Sequence, residues 1–314
     1  VKRGSVAAAL PLFALLVCWP AGPLARQAIQ QPFKAATNLV VVPVVVVDSK
    51  GAAVADLTQN DFLVREDGRP VAIETFTAPA ADAAATDQSR FVVLVLDNLA
   101  VPAELAFRVR NIANSFVDKL GPFDVMSVIA INAGSAVTTN SKALLKQAVA
   151  KYQVAPGAEV MVRRAEHGLQ MINSLTDQIS SAPHQRKVMV FIGSAHIFSP
   201  SERSAFSSGS NLMSSEWMDA IRATARNNVS VYVIDPRGLE NAPADWSQSF
   251  ATETGGYSWA RTNNFGAAAD QIWRESATYY LIGYTAPVSD DRLHTIDVTV
   301  ERKGVTVRAR RARR

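Results

Sequence analysis

The 314 residues are 48% hydrophobic and 19% charged, close to the average for folded chains, which excludes wholesale disorder. That length accommodates one large or two modest domains. The formal charge of +4 does not call for a nucleic-acid partner, because the basic excess sits at the two ends, in Lys2 and Arg3 and in Arg308, Arg310, Arg311, Arg313 and Arg314, leaving a slightly acidic middle.

Lys2 and Arg3 precede an uncharged stretch from Gly4 to Ala25 with an apolar run from Val6 to Val17, the pattern of an export signal, assigned to residues 1–25. Pro11, Pro20, Gly22 and Pro23 argue against a continuous membrane-spanning helix, so a removed signal ranks ahead of a retained anchor. The one cysteine, Cys18, lies inside this stretch. After its removal no disulfide, thiolate metal site or cysteine nucleophile can form. A secreted or periplasmic location in the cell envelope is the expectation, with membrane contact only if the first segment is kept.

Residues 26–38 read as a linker. Leu39 to Val47 is a nearly unbroken β-branched run, hence a strand, and Pro43 within it points to an edge position or a bulge. Phe62, Val64, Val71, Ile73 and Phe76 continue with period-two alternation around the turn Asp67-Gly68. Residues 39–78 therefore form one part of a small β domain, and the alanine-rich residues 79 to 89 a hinge. From Phe91 the pattern changes. Phe91 to Leu96, Val125 to Ile131, Val188 to Ile192 and Val229 to Ile234 are short continuous apolar runs, as in strands covered on both faces. Helical spacing fills the intervals: Leu105, Val109, Ile112, Phe116 and Leu120; Met161, Leu169, Ile172, Leu175 and Ile179; Trp217, Ile221 and Ala225; and a last helix from Phe265 to Ser276. Such alternation predicts an α/β domain over 90–277 with a doubly wound, mostly parallel sheet. Strand-like segments return in 278–311. Three strands are near the minimum for independent stability, so these are expected to pair with 39–78 as the second part of the β domain. The arginines that follow read as a solvated tail.

An open α/β sheet binds ligands outside the carboxyl ends of its strands. Segments along the chain carry a resemblance. Leu57-Thr58-Gln59-Asn60-Asp61-Phe62 with Glu66-Asp67-Gly68, the strand from Phe91 to Asp97, Val231 to Gly238, Thr254-Gly255-Gly256 and Tyr279 to Tyr284 occur in an order and spacing that resembles the von Willebrand factor A fold. The likeness is greatest to the subfamily described as VWFA-related in Acidobacteria, and it spans Leu39 to Arg311. That resemblance implies a cation site formed by an Asp-x-Ser-x-Ser loop, a threonine and a later aspartate, completed by a partner's carboxylate. Here the first loop reads Asp97-Asn98-Leu99-Ala100-Val101. The aspartate stands, while Leu99 and Val101 replace both hydroxyls and offer no oxygen to a hard cation. The threonine position falls near Glu159 and the later aspartate near Ser194. The motif is degenerate: no cofactor is expected, beyond weak binding of magnesium, manganese or calcium by Asp97, Glu159 and Ser194. Asp97 is instead expected to cap the following helix or bond loop amides.

Residues 195 to 215 form a long serine-rich connection on the same edge, with Phe198, Phe206, Leu212 and Met213 as apolar anchors. Asp97, Asn98, Ser194, His196, Phe198 and Phe206 are thus the candidate binding edge. His167, His184, His196 and His294 lack metal-ligand spacing and read as surface or packing residues; no GxSxG elbow, Walker motif or GxGxxG follows a strand. The expected function is a non-catalytic protein-binding, adhesion or scaffold module whose partner is another envelope or extracellular protein. Two alternatives stand: a carbohydrate or cell-wall binder using the tryptophans, and a hydrolase at the same edge using Asp97, Glu159 or Asp235.

Overall fold

A computed structural model describes residues 39–79, 89–131, 135–155, 161–182, 186–195, 210–239, 245–288, 290 and 292–313. The expected signal and linker, most of the alanine-rich hinge, Glu159, His184, His196, Phe198 and Phe206 lie outside the described residues. In chain order the strands and helices begin with β1 (Leu39–Asp48), β2 (Phe62–Glu66), β3 (Arg69–Val71) and β4 (Thr75–Thr77). They continue with β5 (Arg90–Leu96), α1 (Ala106–Lys119), β6 (Val125–Ala130), β7 (Val137–Thr139), α2 (Lys142–Ala150), α3 (Met161–Gln178), β8 (Arg186–Ile192), α4 (Ser210–Asn227) and β9 (Val229–Ile234). The chain then forms α5 (Asp245–Glu253), β10 (Ser258–Trp259), α6 (Phe265–Ala277), β11 (Tyr280–Thr285), β12 (His294–Val300), β13 (Val305–Ala309) and β14 (Ala312–Arg313).

The apolar runs become a six-stranded sheet in the order β10-β9-β8-β5-β6-β7, parallel except for β7. Because successive side chains of a strand point to opposite faces, β5 divides its residues between two cores. Val92, Leu94 and Leu96 pack with Ile112 and Phe116 of α1, Leu145 of α2 and Ile272 of α6. Val93 and Val95 pack with Leu169 and Ile172 of α3, Ile221 of α4 and Phe250 of α5. Burial on both sides explains why these strands show no alternation in sequence. The chain leaves β5 toward β6 on one side and returns through β8 on the other, so the topological switch point lies between β5 and β8.

Strands from the two ends of the described chain share two antiparallel sheets, ordered β13-β1-β11-β4 and β14-β12-β2-β3. Between them lies a core of Val42, Val44, Val46, Phe62, Val64, Tyr280, Ile282, Tyr284, Ile296 and Val298. β2 and β12 are covered on one face and bury every second residue, whereas β1 is buried on both faces from Val42 to Val47. Pro43 does not mark a strand at the sheet's edge, since β1 lies inside its sheet. The pairing is divided, however: β11 flanks residues 39 to 44 and β13 flanks 44 to 48. The missing N–H of Pro43 therefore falls where β1 has a neighbour on one side alone.

Arg308, Arg310 and Arg313 do not belong to a solvated tail, while Arg311 is exposed. Arg308 donates to Glu275 of α6, and Arg310 donates to Ala225 O at the end of α4 and to Val41 O of β1. Arg313, with a side chain 4% exposed, pairs with the equally buried Glu66. The strand alternation of β13 and β14 aims these side chains at neighbouring elements. At the last turn of α4, Arg310 also meets the negative end of the helix dipole.

Candidate functional site

Asp97 is the first residue beyond β5 and is fully buried. Its backbone N–H donates to Ile192 O at 3.0 Å, continuing the β5 and β8 ladder by one rung. The side chain then turns across the switch point. Oδ1 accepts the N–H groups of Leu99 at 3.0 Å and Ala100 at 2.8 Å, and Oδ2 accepts the N–H of Ser194 at 3.0 Å. Three amides thus converge on one carboxylate from two loops. This arrangement commits both carboxylate oxygens to loop amides.

Two residues make that geometry possible. Gly193 lies against Asp97 so closely that a Cβ there would stand 2.2 Å from Asp97 Cβ and 2.6 Å from the Phe191 ring. Tyr152, at the end of α2, donates its hydroxyl to Asp97 O at 2.6 Å. Burial pushes the Tyr152 phenol well above its ordinary range, and the neighbouring Asp97 charge adds to the effect. One rung further along the rim, Asp235 takes a similar part after β9. It accepts Ala195 N–H at 2.9 Å and Arg237 N–H at 3.0 Å, and pairs with the Arg237 guanidinium. The carboxylates after β5 and β9 therefore both brace the loop after β8.

Three residues of the expected binding edge lie among the described residues. Asp97, Asn98 and Ser194 are brought together, but their exposures are 0%, 8% and 3%. All three are buried at the base of the rim. The reason is local: Asn98 O accepts Ala155 N–H at 2.8 Å, so the segment after α2 covers the β5 loop. The serine-rich connection is shorter than expected, because Ser210 to Ser215 belong to α4. Asp235-Pro236-Arg237-Gly238 forms a turn, with Gly238 N–H donating to Asp235 O at 3.3 Å.

The described part of the rim exposes Phe107 and Leu239, which the sequence reading did not single out, and Trp246, one of the tryptophans of the carbohydrate alternative. Among the described residues, Phe107 is 67% exposed in the first turn of α1, Leu239 is 68% exposed after β9, and Trp246 is 39% exposed in the first turn of α5. All three belong to segments that begin at the carboxyl edge of the sheet. Arg108 Nη1 donates to Pro236 O at 2.7 Å, which ties the start of α1 to the turn carrying Leu239. An amphipathic reading treats Phe107 as one more apolar residue of a helix. Its place outside the buried stripe of Val109, Ile112, Ala113, Phe116 and Val117 was the available signal.

A second polar cluster lies in the β domain, where ligand-type atoms of Glu66, Asp67 and His294 fall within 4.8 Å of one another. Its chemistry is that of an ion-pair network. Arg313 engages both oxygens of Glu66, and Tyr284 donates to Glu66 Oε2 at 2.7 Å. The guanidinium already supplies the positive charge there and repels another cation. His294 is no plain packing residue, since its ring lies between the carboxylates of Asp67 and Asp290.

No protein-family model matches the chain, and no curated protein does. Among solved structures, the PilB minor pilin from Streptococcus sanguinis is similar at 14% identity and a TM-score of 0.41, over 63% of this chain and 64% of that one. The chain thus spans less than two thirds of that pilin. The VWA domain of SpRpn10 is similar at 12% identity and a TM-score of 0.38, over 59% of this chain and 94% of the domain. At these values neither likeness bears on function. The architecture itself is a mixed α/β one, a mostly parallel six-stranded sheet between helices joined to two antiparallel sheets. Among the described residues no helix is long and apolar enough to cross a membrane.

Proposed function

We propose that the chain is an exported, non-catalytic protein-interaction module of von Willebrand factor A type. In this reading it binds an envelope or extracellular protein through the carboxyl rim of its six-stranded sheet, without a tightly bound metal ion. The supporting observation is the contrast at that rim. The carboxylate that the resemblance would assign to a cation is buried and bonded to three amides, while Phe107, Leu239 and Trp246 stand exposed on the segments around it. Exposed aromatic and aliphatic side chains on a rigid frame are the usual anchors of a protein interface. The test is capture of envelope proteins by the purified chain. Phe107→Glu combined with Leu239→Glu should abolish capture while leaving the unfolding midpoint unchanged. Phe123→Glu, on the opposite edge at a residue 69% exposed, should leave capture intact. Equal loss from both variants would refute the rim as the binding face.

A second reading rests on a groove of about 480 Å³ whose lining includes Asp48, Lys50, Tyr257, Trp259, Gln271 and Arg308. Trp259 stacks on Tyr232 and meets Tyr257 edge-on, giving an aromatic wall beside polar groups, as a sugar platform requires. Quenching of tryptophan fluorescence by cell-wall glycans, lost in Trp259→Ala, would favour it over protein binding.

A further inference from the structure

His294 opens β12 with a ring that is 4% exposed. Nδ1 lies 2.8 Å from Asp67 Oδ2 and Nε2 lies 2.7 Å from Asp290 Oδ1. A carboxylate accepts and does not donate, and a neutral imidazole has a single N–H. Both contacts are hydrogen bonds only when the ring carries two protons. We propose that His294 is a proton-operated clamp, which when charged ties the connection between β11 and β12 to the turn between β2 and β3 and when neutral releases Asp290 while keeping Asp67.

The order of release follows from the other bonds of the two acids. Asp67 Oδ1 also accepts Thr295 N–H at 2.9 Å, and Asp67 N–H donates to Thr295 O at 2.9 Å. Asp67 is therefore fixed to β12 independently of the ring. Asp290 otherwise bonds Arg292, two residues away in the same connection. Among the described residues its hydrogen bond to the β domain is the one to His294, so a ring with a single N–H keeps the better anchored partner and takes the Nδ1–H tautomer.

The surrounding charges oppose one another. From β2 and its turn come Glu66, 4.0 Å from Nδ1, and Asp67; from the β11–β12 connection come Asp290 and Arg292. Arg313 of β14 stands opposite His294 in register, and Tyr284 of β11 acts through Glu66. Arg313 disfavours the proton, yet the bonds to Asp67 and then Asp290 dominate and raise the imidazole above its ordinary value. The bond to His294 likewise lowers both Asp67 and Asp290. The signs fix the window. The histidine contribution is complete below its unfolded value, about 6.5, and is lost as pH rises through the raised folded value; the carboxylate contribution is complete above about 4 and is lost as pH falls.

The test is a nitrogen-15 NMR titration of the whole chain combined with unfolding midpoints between pH 5 and 9. Both ring nitrogens of His294 should be protonated at pH 6, the titration midpoint should lie above that of a free histidine, and the neutral form should be the Nδ1–H tautomer. Asp290→Asn should lower the titration midpoint and flatten the fall of the unfolding midpoint above pH 7. Asp67→Asn should lower it too, and serves if the first variant fails to fold. A midpoint at or below that of free histidine, an Nε2–H neutral form, or indifference to both substitutions would overturn the proposal.

Discussion

Replacing Gly193 by alanine should be among the most damaging single-methyl changes in the chain. The new Cβ would stand 2.2 Å from Asp97 Cβ, 2.6 Å from Phe191 Cε1 and 2.9 Å from Asp97 Oδ2, so the backbone or the carboxylate must move by more than 1 Å to reach an ordinary contact of roughly 3.5 Å. Neither has room. Gly193 is held by Ile234 O at 3.0 Å, and Asp97 by Ile192 O at 3.0 Å, in the middle of the sheet. Overpacking of this kind costs about 1–3 kcal/mol, and losing the charge-assisted bond from Ser194 N–H to Asp97 Oδ2 costs about 1.5–3 kcal/mol more. A destabilisation of about 2.5–6 kcal/mol is expected, measured by equilibrium urea unfolding at 25 °C against the unaltered chain. A loss under about 1 kcal/mol, where surface substitutions lie, would show that Asp97 is not locked against the β8 loop, and the account of the switch point would fail.

Three further outcomes follow from the same geometry. Arg313→Met should destabilise by about 3–5 kcal/mol in the same unfolding assay, because it leaves the buried Glu66 without its cation. A loss under about 1 kcal/mol would mean that Glu66 finds another partner. Tyr152→Phe removes the hydroxyl bond to Asp97 O and should cost about 1 kcal/mol, with partner capture unchanged if Tyr152 acts beneath the rim. Calorimetric titration with magnesium or manganese should show no tight binding; a micromolar isotherm abolished by Asp97→Ala would restore the cation site.

Sequence carried the sheet strands well because burial on both faces leaves continuous apolar runs, as in Val188 to Ile192, and burial on one face leaves alternation, as in β12 with its pattern around Ile296 and Val298. Thr254-Gly255-Gly256 ends α5, with Gly255 in the left-handed region (φ 80°) and Gly256 N–H donating to Ala251 O at 2.8 Å. Pairings across long sequence separations were not legible. Tyr152 meets Asp97 over 55 residues and His294 meets Asp67 over 227, and no local pattern announces either. The arginines near the C-terminus misled because composition locates charge without showing what faces it. Glu275 and Glu66, which receive Arg308 and Arg313, are remote in the chain. Asp97 and Ser194 were singled out from their loops, but their burial depends on long-range packing that no local pattern announces, while Phe107, Leu239 and Trp246 are exposed.

The claim that this rim works through its surface is tested most directly by a photo-cross-linking side chain placed at position 107 in the protein within its native envelope. A discrete protein adduct, absent from the same probe at position 123 and lost on adding Leu239→Glu, is the expected result. Adducts of equal strength from both positions, or none from position 107, would contradict it.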